Sequence, residues 1–181
     1  FPHTFLLLGQ GYIGPAPVQL ILFVSLALAV GIFLTRTVWG RYTYAVGYNE
    51  TAARFSGIPV DKLKLALYAL SGLLSGVAGV IFVARTGSAR ADAGLGYELD
   101  VIAAVLLGGA SITGGEGTVI GTVLGVLLIA LVRRSLTLLL VPTEGQVVVV
   151  GALLIASVAL DQWLRQRRAM RWSETRTSNA D

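Results

Sequence analysis

The chain has 181 residues, of which 55% are hydrophobic and only 13% charged, with a formal net charge of +4 and a mean hydropathy of +0.75. Soluble domains carry about 25% charged residues, so an ordinary soluble fold is excluded and an integral membrane protein expected. The basic residues gather in loops and do not form one surface stripe, which argues against nucleic acid as a partner. The absence of cysteine excludes a disulfide framework or a thiolate metal site.

Residues 1–17 carry the punctuation of a loop, with Pro2, Gly9, Gly11, Gly14, Pro15 and Pro17. His3 reads as a solvated loop residue. The chain begins with Phe1, and no basic segment or small-residue cleavage site precedes the first apolar run, so no signal peptide is read and the sequence is expected to be a C-terminal portion of something longer. Residues 18–34 form a run of 17 without a charge and read as a first spanning helix.

A polar, basic island follows, GRYTYAVGYNETAARFSGI at 40–58. Residues 36–64 hold Arg36, Arg41, Arg54, Lys62 and Lys64 against Glu50 and Asp61, and the positive-inside rule places this loop in the cytoplasm. Within it, residues 50–56 can form a short helix with Asn49 as N-cap, Gly57 as C-cap and Pro59 as a stop, and Asp61 could cap the next helix. Residues 65–84 form a second charge-free run of 20. Its Ser71/Ser75, Gly72/Gly76 and Ser75/Gly79 pairs, spaced i, i+4, make one face nearly flat, the small-residue pattern of close helix packing in lipid.

Residues 85–100 read as an outer loop with Arg85, Arg90 and Asp92, closing with Glu98 and Asp100 at the start of the next helix. The uncharged runs 101–115 and 117–132, of 15 and 16 residues, are short for spanning, and fit either two short spans or a re-entrant hairpin. Gly117, Gly121 and Gly125 again recur at i, i+4 and are read as helix-packing positions alongside Gly72, Gly76 and Gly79. Arg133 and Arg134 are expected at the outer end of this region, snorkelling to head groups or lining a polar vestibule. Residues 145–160 form the last span. The basic segment 163–181 is expected to be a cytoplasmic, disordered tail beyond a transmembrane portion at 1–162.

Catalytic chemistry is absent from the pattern. There is no G-x-x-x-x-G-K-[ST] phosphate loop, no Ser/His/Asp set and no paired carboxylates, so no enzyme, cofactor or metal is expected. No acidic residue lies within a span to carry protons.

Several blocks, in order, carry a resemblance: the island at 40–58; YALSG at 68–72 with Gly79; GLGYELDVIAA at 94–104; LGGAS at 107–111 with Gly114 and Gly115; and LGQGYIG at 8–14. Together these resemble the permease subunits of bacterial ABC importers for simple sugars, of the ribose, xylose and autoinducer-2 type. The resemblance implies an all-α membrane bundle, with about five spans in this chain. It implies a second permease subunit, identical or not, a separate ABC ATPase subunit, and a periplasmic or lipid-anchored substrate-binding protein, in the bacterial inner membrane with the C-terminus cytoplasmic. Its ATPase-coupling residues would be Gly40, Arg41, Asn49, Glu50, Ala52, Ala53, Arg54 and Gly57. Arg133 and Arg134 depart from the family pattern. Permeases for branched-chain amino acids or nucleosides use similar blocks, and a non-transporting assembly subunit is the reading from another class.

Overall fold

The computed structural model describes residues 9–89, 94 and 96–178, and the expectations for His3, Arg90 and Asp92 lie outside them. The chain divides into two compact units, residues 1–95 with 111–119 and residues 96–110 with 120–181.

In the first unit, two-residue strands β1 (Tyr12–Ile13) and β2 (Ala16–Pro17) pair antiparallel, and Gly14 takes a φ of 63° between them. Helix α1 (Val18–Arg36) follows. It has no buried residue, as suits a helix whose sides face lipid or other helices. Thr37 then breaks the helix and restarts it: its hydroxyl accepts from Gly40 N at 3.1 Å and caps α2 (Val38–Tyr48). Helix α3 (Glu50–Phe55) is one and a half turns, and α4 (Val60–Thr86) is 27 residues, about 40 Å at 1.5 Å per residue. Gly87, with φ 65°, ends α4. At that end the Gly9 backbone lies against Ala84 and Arg85, and Gln10 Nε2 donates to Arg85 O at 3.2 Å.

Two expectations need correction here. Residues 38–48, taken as loop, are helical. Asp61 does not cap α4, whose N-cap is Pro59; its carboxylate is drawn instead to Arg54.

In the second unit, α5 (Tyr97–Leu107), α6 (Val119–Leu138) and α7 (Thr143–Ser178) enclose a small core of Ala103, Ala104, Ile129 and Val150, flanked by Leu107, Leu153 and Leu154. The 11 residues of α5 extend about 16 Å, half of a hydrocarbon core of about 30 Å, so α5 is too short to cross as a helix by itself, whereas the 20 residues of α6 are long enough. Three helices, α1, α4 and α6, are long and apolar enough to cross a membrane, and α7 adds a shorter apolar stretch at Thr143–Ala159. The uncharged run at 101–115 overstated its helix because Gly109, Gly114 and Gly115 all take positive φ and end it.

Arg133 and Arg134 lie inside α6, not at its end. Arg133 Nη2 is 2.7 Å from Asp100 Oδ1, and the two side chains are only 24% and 16% exposed, so Arg133 neither snorkels nor stands free. Arg134 is exposed. The segment 163–181 was expected to be disordered; α7 continues to Ser178, and residues 179–181 lie outside the described residues. The segment 161–172 contains no Gly or Pro and is rich in Arg and Gln, which favour helix.

Candidate functional site

The charged island folds into a corner made by α2, α3 and the first turns of α4. Asn49 is the only non-helical residue between α2 and α3. Its backbone N–H still bonds Ala45 O at 3.1 Å, while its side-chain Oδ1 accepts from Ala52 N at 3.0 Å. This is the N-cap expected from the sequence. At the other end, Gly57 N donates to Arg54 O and Ile58 N to Ala53 O, at 3.0 and 3.1 Å, with Gly57 at φ 78°. That pair of bonds is the Schellman arrangement, and it requires a residue free to enter the left-handed region. Gly57 thus sits one position beyond the cap residue, Ser56.

Four charges lock α3 to α4. Arg54 grips Asp61 through two bonds of 2.9 and 2.6 Å and reaches Glu50 at 3.4 Å, and Lys64 Nζ meets Glu50 Oε2 at 2.6 Å. The Lys64 ammonium holds the Glu50 carboxyl below its usual range, and the Asp61 carboxylate raises the Arg54 guanidinium. These side chains are 42–77% exposed, so solvent screens them and the network fixes geometry more than it adds stability. Ala53, Val60 and Leu63 are buried in the same corner.

The result is a short helix with one face held and the other open. Thr51, Ala52 and Phe55 point outward, with Tyr48 beside them. Phe55 is 89% exposed and Tyr48 82%, an unusual position for two aromatic rings unless a partner covers them. Arg41 is exposed as well. Gly40, expected on this surface, is buried instead; a Cβ there would meet the carbonyls of Phe33 and Leu34, so its role is to let α2 fold back on the end of α1. Glu50 and Arg54, expected among the ATPase-coupling residues, are partly exposed and pair with Lys64 and Asp61 of the same chain. Sequence reasoning passed over Tyr48 and Phe55. Their signal was one aromatic just before the cap of a six-residue helix and another at its last position.

A second loop rests on this corner. Residues 111–117 form a turn closed on itself by Ser111 N to Glu116 O at 3.0 Å and Gly114 N to Ser111 O at 3.2 Å. The turn lies against the end of α2. A Cβ on Gly47 would be 2.5 Å from Gly115 N, and one on Gly115 would be 2.8 Å from Tyr48 Cα. Tyr44 Oη donates to Gly117 O at 3.0 Å. Gly117 therefore belongs to this contact, and α6 begins only at Val119.

Of the other packing glycines, Gly125 does bring helices together, since a Cβ there would run into Ala104 O of α5, and Gly121 receives the close approach of Gly108. Gly72, Gly76 and Gly79 have nothing within 4 Å of a Cβ position, so among the described residues none packs on these three glycines of α4.

Comparison with known proteins places this architecture. The chain is 45% identical over 160 residues to the ribose import permease protein RbsC of Bacillus subtilis (strain 168), covering 88% of this chain and 50% of that protein. It is 46% identical over 147 residues to RbsC of Escherichia coli (strain K12), covering 81% and 45%. The xylose transport system permease protein XylH of Haemophilus influenzae (strain ATCC 51907 / DSM 11121 / KW20 / Rd) is 44% identical over 142 residues, covering 78% and 38%. The chain thus spans half or less of the length of these relatives. No solved structure matches it. The pattern of one family, described as branched-chain amino acid transport system / permease component, matches residues 1–158, and the chain belongs to that permease family.

Proposed function

We propose that this all-α, multi-pass membrane chain is part of the permease subunit of an ATP-driven importer of a simple sugar in a bacterial inner membrane. In this reading α3 is the coupling helix. The observation that carries it is the geometry of α3: capped at Asn49 and Gly57, tied to α4 by four charges, and open on its Thr51, Ala52 and Phe55 face. A separate ATPase subunit seats on that face and supplies the hydrolysis for which this sequence has no phosphate loop. A second permease subunit completes the pathway, and a periplasmic or lipid-anchored binding protein delivers the sugar. The C-terminus lies in the cytoplasm, on the side of the basic loop at 36–64.

The names of the relatives favour a pentose such as ribose or xylose as the solute. The test is uptake of radiolabelled ribose and xylose into membrane vesicles holding the full-length permease with its ATPase and binding protein. ATP-dependent uptake of either sugar, abolished by Ala52→Arg together with ATPase retention on the permease, is expected. Uptake of leucine and of neither sugar would support the solute in the family's description instead. Unchanged ATPase retention in Ala52→Arg would overturn the assignment of α3.

A further inference from the structure

The coupling helix has to act on something within the membrane, and the structure contains a contact placed to receive its motion. Asn49 alone separates α3 from the last turn of α2, and it is bonded in both directions, its N–H to Ala45 O and its C=O to Ala53 N. A shift of α3 is therefore handed to residues 44–48 with little slack. That turn of α2 is where the glycine-rich loop sits. Three backbone approaches are too close for any side chain: Gly47 to Gly115, Gly114 to Gly47 O, where a Cβ would be 2.6 Å away, and Gly115 to Tyr48. Gly114 and Gly115 also hold φ of 88° and 77°, which side-chain-bearing residues rarely adopt. The loop is closed by its own hydrogen bonds, and the Ser111 and Thr113 hydroxyls lie 2.7 Å apart. Two residues beyond Gly117 the chain enters α6. Backbone packed on backbone is nearly incompressible, and it transmits displacement where a flexible side-chain contact would absorb it.

We propose that residues 111–117 are the receiver of the coupling movement, seated on α2 by Gly47 and oriented by the Tyr44 hydroxyl, which acts as a positioning residue for the transport cycle. The inference rests on reading α3 as the ATPase contact, and it adds the route by which that contact reaches the spanning helix α6.

The experiment uses the full-length permease on a cysteine-free background, assembled with its ATPase, with a bimane thiol label at Ile112→Cys or at Ser56→Cys. Ile112 is 62% exposed at the tip of the loop, and Ser56 closes α3. Fluorescence is compared between the nucleotide-free complex and the complex trapped with Mg-ATP and vanadate. Both labels are expected to respond in the parent. Gly47→Ala, which forces a methyl group into Gly115, and Tyr44→Phe, which removes only the bond to Gly117 O, are expected to abolish or diminish the response at residue 112 and leave the response at residue 56 and ATPase retention in place, with the melting temperature lowered in Gly47→Ala and unchanged in Tyr44→Phe. A purely structural role would lower the melting temperature without separating the two labels, and would overturn the proposal. So would a silent label at residue 112 beside a responsive one at 56, or a full response at 112 in both variants. If Gly47→Ala does not assemble, Tyr44→Phe decides. A silent label at residue 56 in the parent would instead remove the reading of α3 itself.

Discussion

Lys64 Nζ lies 2.6 Å from Glu50 Oε2, so the first turn of α3 is tied to the second turn of α4 across 14 residues of sequence. Glu50 also faces Arg54 at 3.4 Å. Glu50→Lys would put a third positive charge between these two and push α3 off α4. Uptake is expected to fall by roughly 2- to 30-fold, the range for changes within a coupled network. The amount of permease in the membrane should stay the same, because the site lies at an exposed corner. Vesicle uptake normalised to permease content checks this, and parent-level uptake would refute it.

The same pair has a pH signature. Glu50 is held below its ordinary value of 4.5, first by its hydrogen bond to Lys64. A carboxyl whose pKa is lower folded than unfolded contributes fully above the unfolded value and loses that contribution as pH falls through the folded one. The attachment of α3 should thus be constant through neutral pH and weaken only in acid below the ordinary carboxylate range. Carbon-13 NMR titration of Glu50 should give a midpoint below 4.5, moving up towards it in Lys64→Met. An unmoved midpoint would show that the contact does not hold in solution.

The spans at α1 and α4 and the two caps of α3 could be read from the sequence because each depends on neighbouring residues alone. Charge-free length marks a span, and Asn before and Gly after a short helical run mark its ends. Helix α2 could not be read this way. Gly40 and Gly47 count against helix locally, and only their close approaches to α1 and to the 111–117 loop explain why glycine is there. The Arg133–Asp100 pair was hidden for a related reason. It joins residues 33 apart, and nothing near Arg133 in sequence announces the carboxylate. The partners of Glu50 and Arg54, Lys64 and Asp61, lie on the next helix, so these pairings emerged only from the fold.

Gly57 tests the Schellman turn. Its φ is 78° and nothing lies within 4 Å of a Cβ position, so a substitution there meets conformational strain and no clash. Gly57→Val should cost about 1–2 kcal/mol at this turn, the penalty of the left-handed region for a side chain. Gly57→Asn should cost less, because Asn tolerates that region. Sugar uptake should follow the same order, with Asn above Val. Equal uptake in the two variants would mean that the turn does not set the position of α3.

The Asp100–Arg133 pair should behave as a unit. Both side chains are largely buried, and Arg133 Nε is already buried without a hydrogen-bond partner. Asp100→Leu or Arg133→Met alone strands the opposite charge and should destabilise the second unit by about 1–3 kcal/mol. The double variant removes both charges and should recover part of that loss, since an apolar pair can replace a buried ion pair. Thermal unfolding in detergent of the two single variants and the double variant gives the coupling energy. A double variant as unstable as the sum of the singles would mean that the pair carries no mutual interaction.

Glycines with the same spacing should respond in opposite ways. At Gly125 a Cβ would collide with Ala104 O, where α6 crosses α5, and the helix would have to move. Gly125→Ala should therefore destabilise by about 1–3 kcal/mol, the usual range for overpacking. At Gly76 a Cβ meets nothing within 4 Å, and Ala is the better helix former by roughly 0.5–1 kcal/mol. Gly76→Ala in the 181-residue chain should leave unfolding in detergent unchanged or slightly raised. Repeating the pair in the full-length permease separates the two kinds of glycine. A loss at Gly76 that appears only there would mean that a surface outside these residues lies against the Ser71, Gly72, Ser75, Gly76 and Gly79 face of α4, while the loss at Gly125 should be the same in both.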